Sequence, residues 1–323
     1  SCFNQIRAFR YKNWMIKSFQ HTLAESVTLE GIGLHTGKKS KIKVFPADND
    51  QGIVFKRTDL KNNNYVKAKY NNVTSAKLCT TIENNFGTKV STVEHLLAAL
   101  YVCEVDNAII EIDSEEVPIM DGSAKDFIEA FERVGIKKLS KKRKYIKIID
   151  KFILEDGERR ISLEPADNSS FEVDFQLNYQ NKIIGKQKNV VNFQTDDLED
   201  VMHARTFCLY EDIEKIKKLG LAKGGSLDNA IVVDKDKVLN EGGLRNNKEF
   251  VNHKILDLAG DFLLLGLRVI GSVKCYQGGH ELTNMFLRKL VEKETVFTKV
   301  EVENILISKK TRSNHPIKIA VNA

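Results

Sequence analysis

The chain has 323 residues, of which 42% are hydrophobic and 29% charged, and its net charge is +6. These values are typical of a folded globular protein of about two domains, and they exclude collagen-like and low-complexity chains. No apolar run approaches the roughly 18 residues that a membrane-spanning helix needs, so we expect no membrane span.

The positive charge is concentrated in one short segment. Seven Lys and Arg residues lie between residues 137 and 147, with no acidic residue among them. We predict a solvated linker or hairpin edge here, where Lys also discourages strand pairing. A nucleic-acid-binding protein is the alternative, but Tyr145 is the only aromatic residue among these charges that could stack on a base. We therefore expect no nucleic-acid partner.

The five cysteines are odd in number and widely spaced, and they form no C-x-x-C motif: Cys2, Cys79, Cys103, Cys208 and Cys275. A disulfide framework or a zinc ribbon is therefore not expected. A reducing compartment fits this pattern. Residues 1–14 are basic and lack the apolar stretch of a secretory signal. We interpret them as an N-terminal extension before Met15, with organelle targeting as the alternative.

The first half of the chain predicts strands followed by helices. Short alternating strands surround the glycine-rich segment 31–37, and an Asn- and Lys-rich loop covers residues 61–70. Helices are predicted over 91–102 and 123–134, on either side of a buried strand at 107–112. The Lys-rich segment then ends a first domain near residue 140.

The second half repeats this order. Strands are predicted at 145–149, 160–163 and 171–177 from their alternating apolarity. Helices follow over 196–204, 211–219 and 249–267. A buried strand at 269–275 and a last helix from Glu281 complete an α+β pattern.

The long predicted helix carries a polar face with metal-binding potential. His253, Asp257 and Asp261 are spaced four residues apart, so they share one side of the helix. Imidazole and carboxylate at this spacing can hold zinc. However, His and Asp four residues apart are also a common stabilising pair on a helix. Taken alone, His253 and Asp257 favour this structural role over a metal site.

Two further features can supply chemistry. Glu94 and His95 can provide a base and a metal ligand. However, residues 91–94 (STVE) fit a helix capping box, and this role is favoured for Glu94 without further observations. His95 lies between apolar residues and equally fits a core position. His280 follows two glycines and can act as a general acid near neutral pH, or it is a plain loop residue.

The chain resembles the UDP-3-O-acyl-N-acetylglucosamine deacetylases, which are zinc amidases of lipid A biosynthesis in Gram-negative bacteria. Seven motifs carry the resemblance, and they occur in the same order as in that family. The motifs are 31–37 (GIGLHTG), 91–95 (STVEH), 117–123 (VPIMDGS), 204–207 (ARTF), 242–245 (GGLR), 253–257 (HKILD) with Asp261, and 279–280 (GH). The resemblance covers about residues 15–305.

The resemblance implies a metal centre and a reaction. Zinc, or iron in the cell, would be held by three ligands, with water as the fourth: His95, His253 and Asp257. Glu94 would be the general base, and His280, oriented by Asp261, the protonated acid. The oxyanion would be stabilised by two residues: Thr206 and Lys254. The reaction implied is hydrolysis of the N-acetyl group of UDP-3-O-acyl-N-acetylglucosamine by a cytoplasmic, monomeric bacterial enzyme, at the committed step of lipid A biosynthesis.

The resemblance also implies an architecture of two similar domains, each with helices packed on a small sheet, and an active site between them. The domains would cover 15–140 and 141–312, with inserts at 61–77 and 211–232 and a tail at 313–323. The second insert would form a passage for the acyl chain, or it is simply the inner face of an ordinary helix and strand. Substrate contacts would come from Tyr179, stacked on uracil, and from six other residues: Leu34, Phe207, Ile213, Ala222, Ser226 and Val232.

Two positions depart from the family pattern. Gln277 stands where many members carry a basic residue, so we expect diphosphate binding either to be weaker or to rest more on Lys254 and Arg268. Asn246 stands where an aromatic residue is usual. A zinc deacetylase acting on another N-acyl sugar, a basic nucleic-acid-binding protein and a catalytically inactive scaffold remain as alternatives.

Overall fold

The structure is a computed structural model, and it describes residues 16–167 and 169–301. The predicted N-terminal extension, residues 1–14, and the predicted tail, residues 313–323, lie outside the described residues. Within the described ranges there are six α-helices: α1 (Glu94–Val102), α2 (Lys125–Val134), α3 (Glu199–Met202), α4 (Tyr210–Lys218), α5 (Glu249–Leu263) and α6 (His280–Glu292).

The strands of the first half form three small sheets. One of these sheets includes a strand after residue 112, at Ile136–Lys142. They are β1 (Phe19–Leu23), β2 (Val27–Ile32), β3 (Lys39–Pro46), β4 (Ile53–Arg57), β5 (Tyr65–Lys67), β6 (Val73–Ser75), β7 (Thr81–Glu83), β8 (Lys89–Val90), β9 (Ala108–Ile112) and β10 (Ile136–Lys142). The largest sheet has the order β2-β3-β9-β4-β5, while β6, β7 and β8 form a second sheet and β1 pairs with β10. The buried residues of β3 alternate mostly with exposed ones, and those of β9 alternate with half-buried ones, as expected for strands with one face on the core.

The strands of the second half are β11 (Lys144–Ile148), β12 (Phe152–Asp156), β13 (Arg159–Glu164), β14 (Phe171–Asn178), β15 (Lys186–Asn192), β16 (Phe207–Leu209), β17 (Ile231–Asp234), β18 (Lys237–Val238), β19 (Arg268–Tyr276) and β20 (Phe297–Glu301). Seven of them form one sheet around β19, which pairs with β11, β13 and β14. The strands β16, β17 and β18 form a separate small sheet.

Helices α1 and α5 lie at the centre of the molecule and pack on each other. Every residue of α5 is buried except Lys254, and all residues of α1 from Glu94 to Tyr101 are buried. A helix that is buried on all sides needs protein around it. By contrast, α2 buries one stripe, formed by Phe127, Ile128, Ala130 and Phe131. The α+β fold predicted from the sequence is confirmed.

Several predicted boundaries differ from the structure. The helix predicted over 196–204 is the single turn α3, and the helix predicted over 249–267 ends at Leu263. The chain leaves α5 through a turn in which Gly266 has a φ of +79°, a conformation that favours glycine. His280, predicted on a loop, is the first residue of α6.

The Lys-rich segment is not one solvated linker. Its first part is β10, which forms an antiparallel ribbon with β1, and its second part is β11 of the large sheet. Most of its Lys side chains are exposed, as predicted. Arg143, however, is 3% exposed and forms ion pairs with Glu104 and Asp106. The prediction of a solvated segment is therefore wrong at Arg143, because its charge is compensated inside the protein.

Candidate metal centre

The packing of α1 on α5 brings three predicted metal ligands together. The Nε2 atoms of His95 and His253 lie 3.2 Å and 3.4 Å from Oδ1 of Asp257. One ligand atom from each residue lies within 4.8 Å of the others, and all three residues are buried. His253 and Asp257 share a face of α5, as the four-residue spacing predicted, and α1 contributes His95.

The orientation of His253 suits a metal ligand. Its Nδ1 lies 2.8 Å from the carbonyl oxygen of Ala204. Because a carbonyl only accepts, Nδ1 carries the proton and the lone pair of Nε2 points toward Asp257. Burial lowers the pKa of His253 to about 4, so the ring is neutral at pH 7. Residue spacing does not predict this contact, and the only signal in the sequence is that Ala204 opens the 204–207 motif.

The donor set fits a zinc-type cation. Oδ1 of Asp257 is buried, and none of the described residues makes a well-directed hydrogen bond to it. A buried carboxylate oxygen without a donor is costly unless a cation lies beside it. Two imidazole nitrogens and one carboxylate are also a common three-ligand set for zinc.

A second group of side chains borders the three ligands. Oε1 of Glu94 lies 3.6 Å from Nε2 of His280, and Nδ1 of His280 lies 2.5 Å from Oδ2 of Asp261. Burial alone would lower the pKa of His280, but the carboxylates of Asp261, Asp257 and Glu94 outweigh it and raise the pKa to about 10. The His280 ring is therefore held by a carboxylate on one side and faces Glu94 on the other.

Glu94 does not close a capping box. Helix α1 begins at Glu94 itself, its N-terminus has no side-chain cap, and the Ser91 hydroxyl bonds Thr81 instead. The Glu94 carboxylate accepts a hydrogen bond from the backbone N–H of Thr80 at 3.0 Å. The capping interpretation is therefore wrong, because this side chain turns into the site rather than back over the helix end.

Thr80 is a site residue that the sequence analysis missed. Besides its N–H contact with Glu94, its hydroxyl lies 2.7 Å from Oδ1 of Asp261. No residue spacing connects Thr80 to Asp261, because 181 positions separate them and only the folded chain brings them together.

Of the two aromatic residues predicted to bind substrate, Phe207 lies beside His253 and Tyr179 lies beside Phe207. The Phe207 ring lies between Tyr179, at 6.0 Å between centroids, and His253, at 6.4 Å. It packs edge-on against Phe250 at 5.0 Å, which fixes its orientation. The Nζ atom of Lys254 lies 5.8 Å from the Phe207 centroid. Thr206 precedes Phe207 and is half-buried, with its N–H bonded to the carbonyl of Gly122.

The second predicted insert docks on the glycine-rich segment 31–37. The N–H of Ala222 donates to Nδ1 of His35 at 3.2 Å, and the N–H of Gly224 donates to the carbonyl of Leu34 at 3.0 Å. A Cβ at Gly224 would lie 2.2 Å from the carbonyl oxygen of Gly33, so this approach requires glycine.

The apolar residues of the second insert differ in exposure. Val232 is buried, Ile213 is half-buried, and Ser226 and Leu219 are exposed, Leu219 by 74%. Helix α4 buries none of its residues. The interpretation of this segment as the inner face of an ordinary helix is therefore wrong for α4.

Arg268 is not available to a phosphate. Its guanidinium bonds Asp106 and the carbonyls of Tyr101 and Val105, and the residue is 6% exposed. The expectation that it replaces the missing basic residue at Gln277 is therefore wrong. The amide of Gln277 is itself bonded to the main chain of Asn178 through both its oxygen and its nitrogen.

His95, His253 and Asp257 surround a common point. The Glu94 carboxylate and the His280–Asp261 pair lie beside them. This arrangement is that of a mononuclear metal-dependent enzyme. Residues 20–292 match the UDP-3-O-acyl N-acetylglycosamine deacetylase family, and the chain belongs to this family. The membership predicted from the seven motifs is thereby confirmed.

Curated relatives agree with this assignment. The chain is 43% identical over 293 residues to the UDP-3-O-acyl-N-acetylglucosamine deacetylase of Saccharophagus degradans, covering 90% of this chain and 95% of the relative. It is 41% identical over 286 residues to the protein of the same name from Geotalea uraniireducens, covering 88% and 92%. A third relative of that name, from Shewanella violacea, is 37% identical over 306 residues, covering 94% and 97%.

The helices of the described part of the chain are all too short or too polar to cross a membrane.

Proposed function

We propose that this protein hydrolyses the N-acetyl group of UDP-3-O-acyl-N-acetylglucosamine, releasing acetate and the free amine, in lipid A biosynthesis. The observation that carries the proposal is the buried group of His95, His253 and Asp257 beside Glu94 and His280, in a chain of this deacetylase family. The curated relatives bear the name of this activity.

We propose zinc as the metal, held by Nε2 of His95, Nε2 of His253 and the carboxylate of Asp257. Zinc bound there would act as a Lewis acid that activates water and polarises the acetamide carbonyl. Iron is the second candidate, because the same donor set accepts it and availability decides in the cell.

Glu94 is the proposed general base. Its carboxylate is buried, and burial raises its pKa, which makes it a better proton acceptor than an exposed carboxylate. Oε2 is held by the Thr80 N–H, which leaves Oε1 on the side of His280. Glu94 takes a proton from the attacking water as the new C–O bond forms.

His280 is the proposed general acid. The Asp261 carboxylate holds its Nδ1–H and favours the protonated ring, so Nε2–H faces into the site. The amine leaves only when protonated, and His280 donates that proton as the C–N bond breaks. The base and the acid are therefore different side chains, which allows each to start in its required protonation state.

Thr206 and Lys254 are the proposed donors to the anionic oxygen of the tetrahedral intermediate. Thr206 adjoins Phe207, and the half-buried Lys254 directly follows the ligand His253. Preorganised donors of this kind are each worth about 10²–10³ in rate.

The substrate is proposed to lie along the wall formed by Tyr179, Phe207 and the second insert. Tyr179 would stack on uracil. The acyl chain would contact five residues of the insert and the segment that it docks on: Leu34, Ile213, Ala222, Ser226 and Val232. Support comes from the docking of Ala222 and Gly224 on segment 31–37 and from the unburied apolar side chains of α4.

We further propose domains covering 15–140 and 141–312, with inserts at 61–77 and 211–232, and a cytoplasmic monomer. The large sheets support the division, because one uses strands from 27–112 and the other strands from 144–301. The free thiols of Cys79, Cys208 and Cys275 support a reducing compartment.

The test is acetate release from UDP-3-O-acyl-N-acetylglucosamine by the purified chain, measured before chelation, after chelation, and after adding back zinc or iron. We expect release that is lost on chelation and restored by metal. No release under any condition would contradict the substrate assignment. Release from N-acetylglucosamine derivatives without UDP at an equal rate would instead favour a deacetylase of broader range.

A further inference from the structure

Thr80 connects two groups that act on different protons in the proposed reaction. It belongs to the first half of the chain, directly before β7, and is 2% exposed. Its described hydrogen bonds go to Glu94, Asp261 and the N-terminus of α1, and none goes to the three metal ligands.

The contacts of Thr80 fix which oxygen of each carboxylate faces His280. The Thr80 N–H donates a hydrogen bond to Oε2 of Glu94, so the other oxygen, Oε1, faces Nε2 of His280 at 3.6 Å. The Thr80 hydroxyl donates a hydrogen bond to Oδ1 of Asp261, so the other oxygen, Oδ2, bonds Nδ1 of His280. An ionised carboxylate only accepts, so the hydroxyl is the donor in the second contact.

The main chain of Thr80 also holds the beginning of α1. Its carbonyl accepts the N–H of Val93, the residue before Glu94, at 3.3 Å. The backbone of Glu94 and its carboxylate are therefore tied to the same residue that holds Asp261 from the opposite half of the molecule.

We propose that Thr80 is a positioning residue that sets the placement of Glu94 relative to the His280–Asp261 pair. The inference rests on the proposed function, since it assigns Thr80 to the base and acid of that reaction. Without the hydroxyl, Oδ1 of Asp261 is buried with no donor, and the carboxylate can rotate away from His280. Residues that orient a catalytic group typically change activity by about 10–100-fold when removed.

The first experiment compares Thr80→Val and Thr80→Ser with the wild-type chain. Val keeps the shape of Thr but lacks the hydroxyl, and Ser restores the hydroxyl. We expect Thr80→Val to lower kcat for acetate release by about 10–100-fold with KM and metal content unchanged. We expect Thr80→Ser to stay within a few-fold of the wild type.

Thr81→Val is the matched control. Thr81 is also buried, and its hydroxyl bonds Ser91 and lies near Cys79, with no described hydrogen bond to Glu94 or Asp261. We expect near wild-type kcat for this variant. The inference would be overturned if kcat fell equally in Thr80→Val and Thr81→Val. It would also be overturned if kcat fell as far in Thr80→Ser as is expected for Thr80→Val, or if Thr80→Val kept the wild-type kcat. If Thr80→Val does not fold, Thr80→Ala against Thr80→Ser makes the same comparison.

A second measurement separates this inference from the proposed function. The proton on Nδ1 of His280 can be followed by NMR on the metal-loaded chain, where its downfield shift reports the bond to Asp261. We expect this signal to move or broaden in Thr80→Val and to stay in Thr81→Val. An unmoved signal would overturn the inference even in an active enzyme. Absence of acetate release by the wild type would count against the proposed function alone.

Discussion

Gly260 of α5 lies directly against the main chain of Glu94 in α1. A Cβ at position 260 would be 2.1 Å from the Glu94 carbonyl oxygen and 3.1 Å from the Ala98 nitrogen. No side chain fits there without moving one helix. This approach allows His95 of α1 to lie 3.2 Å from Asp257 of α5, so the glycine sets the spacing of the proposed metal site.

Gly260→Ala therefore reverses the usual effect of this substitution. In an exposed helix Ala is about 1 kcal/mol more favourable than Gly. Here the added methyl group meets backbone, and we expect a loss of about 1–3 kcal/mol in the free energy of unfolding, as for overpacked cores. Urea denaturation measures the stability, and metal titration should show weaker binding. A more stable protein with unchanged metal affinity would contradict the packing argument.

The sequence predicted the helices of the site well because their apolar residues recur at helical spacing. The strip His253, Asp257 and Asp261 could be placed on one face of α5 from spacing alone. Spacing could not show whether His95 faces that strip, because α1 is buried on all sides and no single face identifies its partner. Without the family motifs, a core role for His95 was equally consistent with the sequence.

Other parts of the site depend on contacts between distant segments. Glu94 matched a capping box, and only the position of Thr80 shows that its carboxylate turns elsewhere. Arg143 looked like one more solvated charge in a Lys-rich segment. Its partners, Glu104 and Asp106, are about 40 positions earlier, and pairing at that distance leaves no local pattern.

Glu94→Gln tests the proposed base. The amide keeps the size of the side chain but cannot accept the proton, and loss of a general base typically costs about 10²–10⁴-fold in rate. We expect kcat for acetate release to fall in this range while one metal ion per chain is retained. Glu25→Gln, at an exposed position, is the control and should leave kcat unchanged. Loss of metal in Glu94→Gln would point to a ligand role instead.

Asp257→Ala tests the metal site. Removing the carboxylate leaves two imidazoles, which should weaken metal binding enough that the purified protein contains far less than one ion per chain. Elemental analysis after gel filtration measures the content. Asp50→Ala, at an exposed ion pair with Lys141, is the control and should retain the metal. A full complement of metal in Asp257→Ala would exclude Asp257 as a ligand.

Arg143→Met tests the buried ionic cluster. Arg143 pairs with Glu104 and Asp106, and breaking a buried pair by removing one partner typically costs about 3–5 kcal/mol. Lys141→Met, two residues away, breaks an exposed pair with Asp50 and should cost less than about 1 kcal/mol. Urea denaturation at pH 7 compares the two variants. Similar losses in both would show that the cluster contributes no more than a surface pair.

The same cluster predicts a loss of stability in acid. Burial alone would raise the pKa of Glu104 and Asp106, but Arg143 and then Arg268 outweigh it and hold both pKa values below their ordinary range. The folded state therefore binds these protons less readily than the unfolded state. The resulting stabilisation is complete above the unfolded pKa of about 4 and is lost as the pH falls through the lower folded values.

Urea denaturation of the wild type and Asp106→Asn between pH 7 and pH 3 measures this contribution. Asn cannot titrate, so we expect the variant to be less stable at pH 7 and its stability to fall less steeply below pH 4. The difference between the two proteins should then narrow as the pH decreases. Parallel curves would show that Asp106 has the same pKa in the folded and unfolded states, and the acid sensitivity would have to come from other carboxylates.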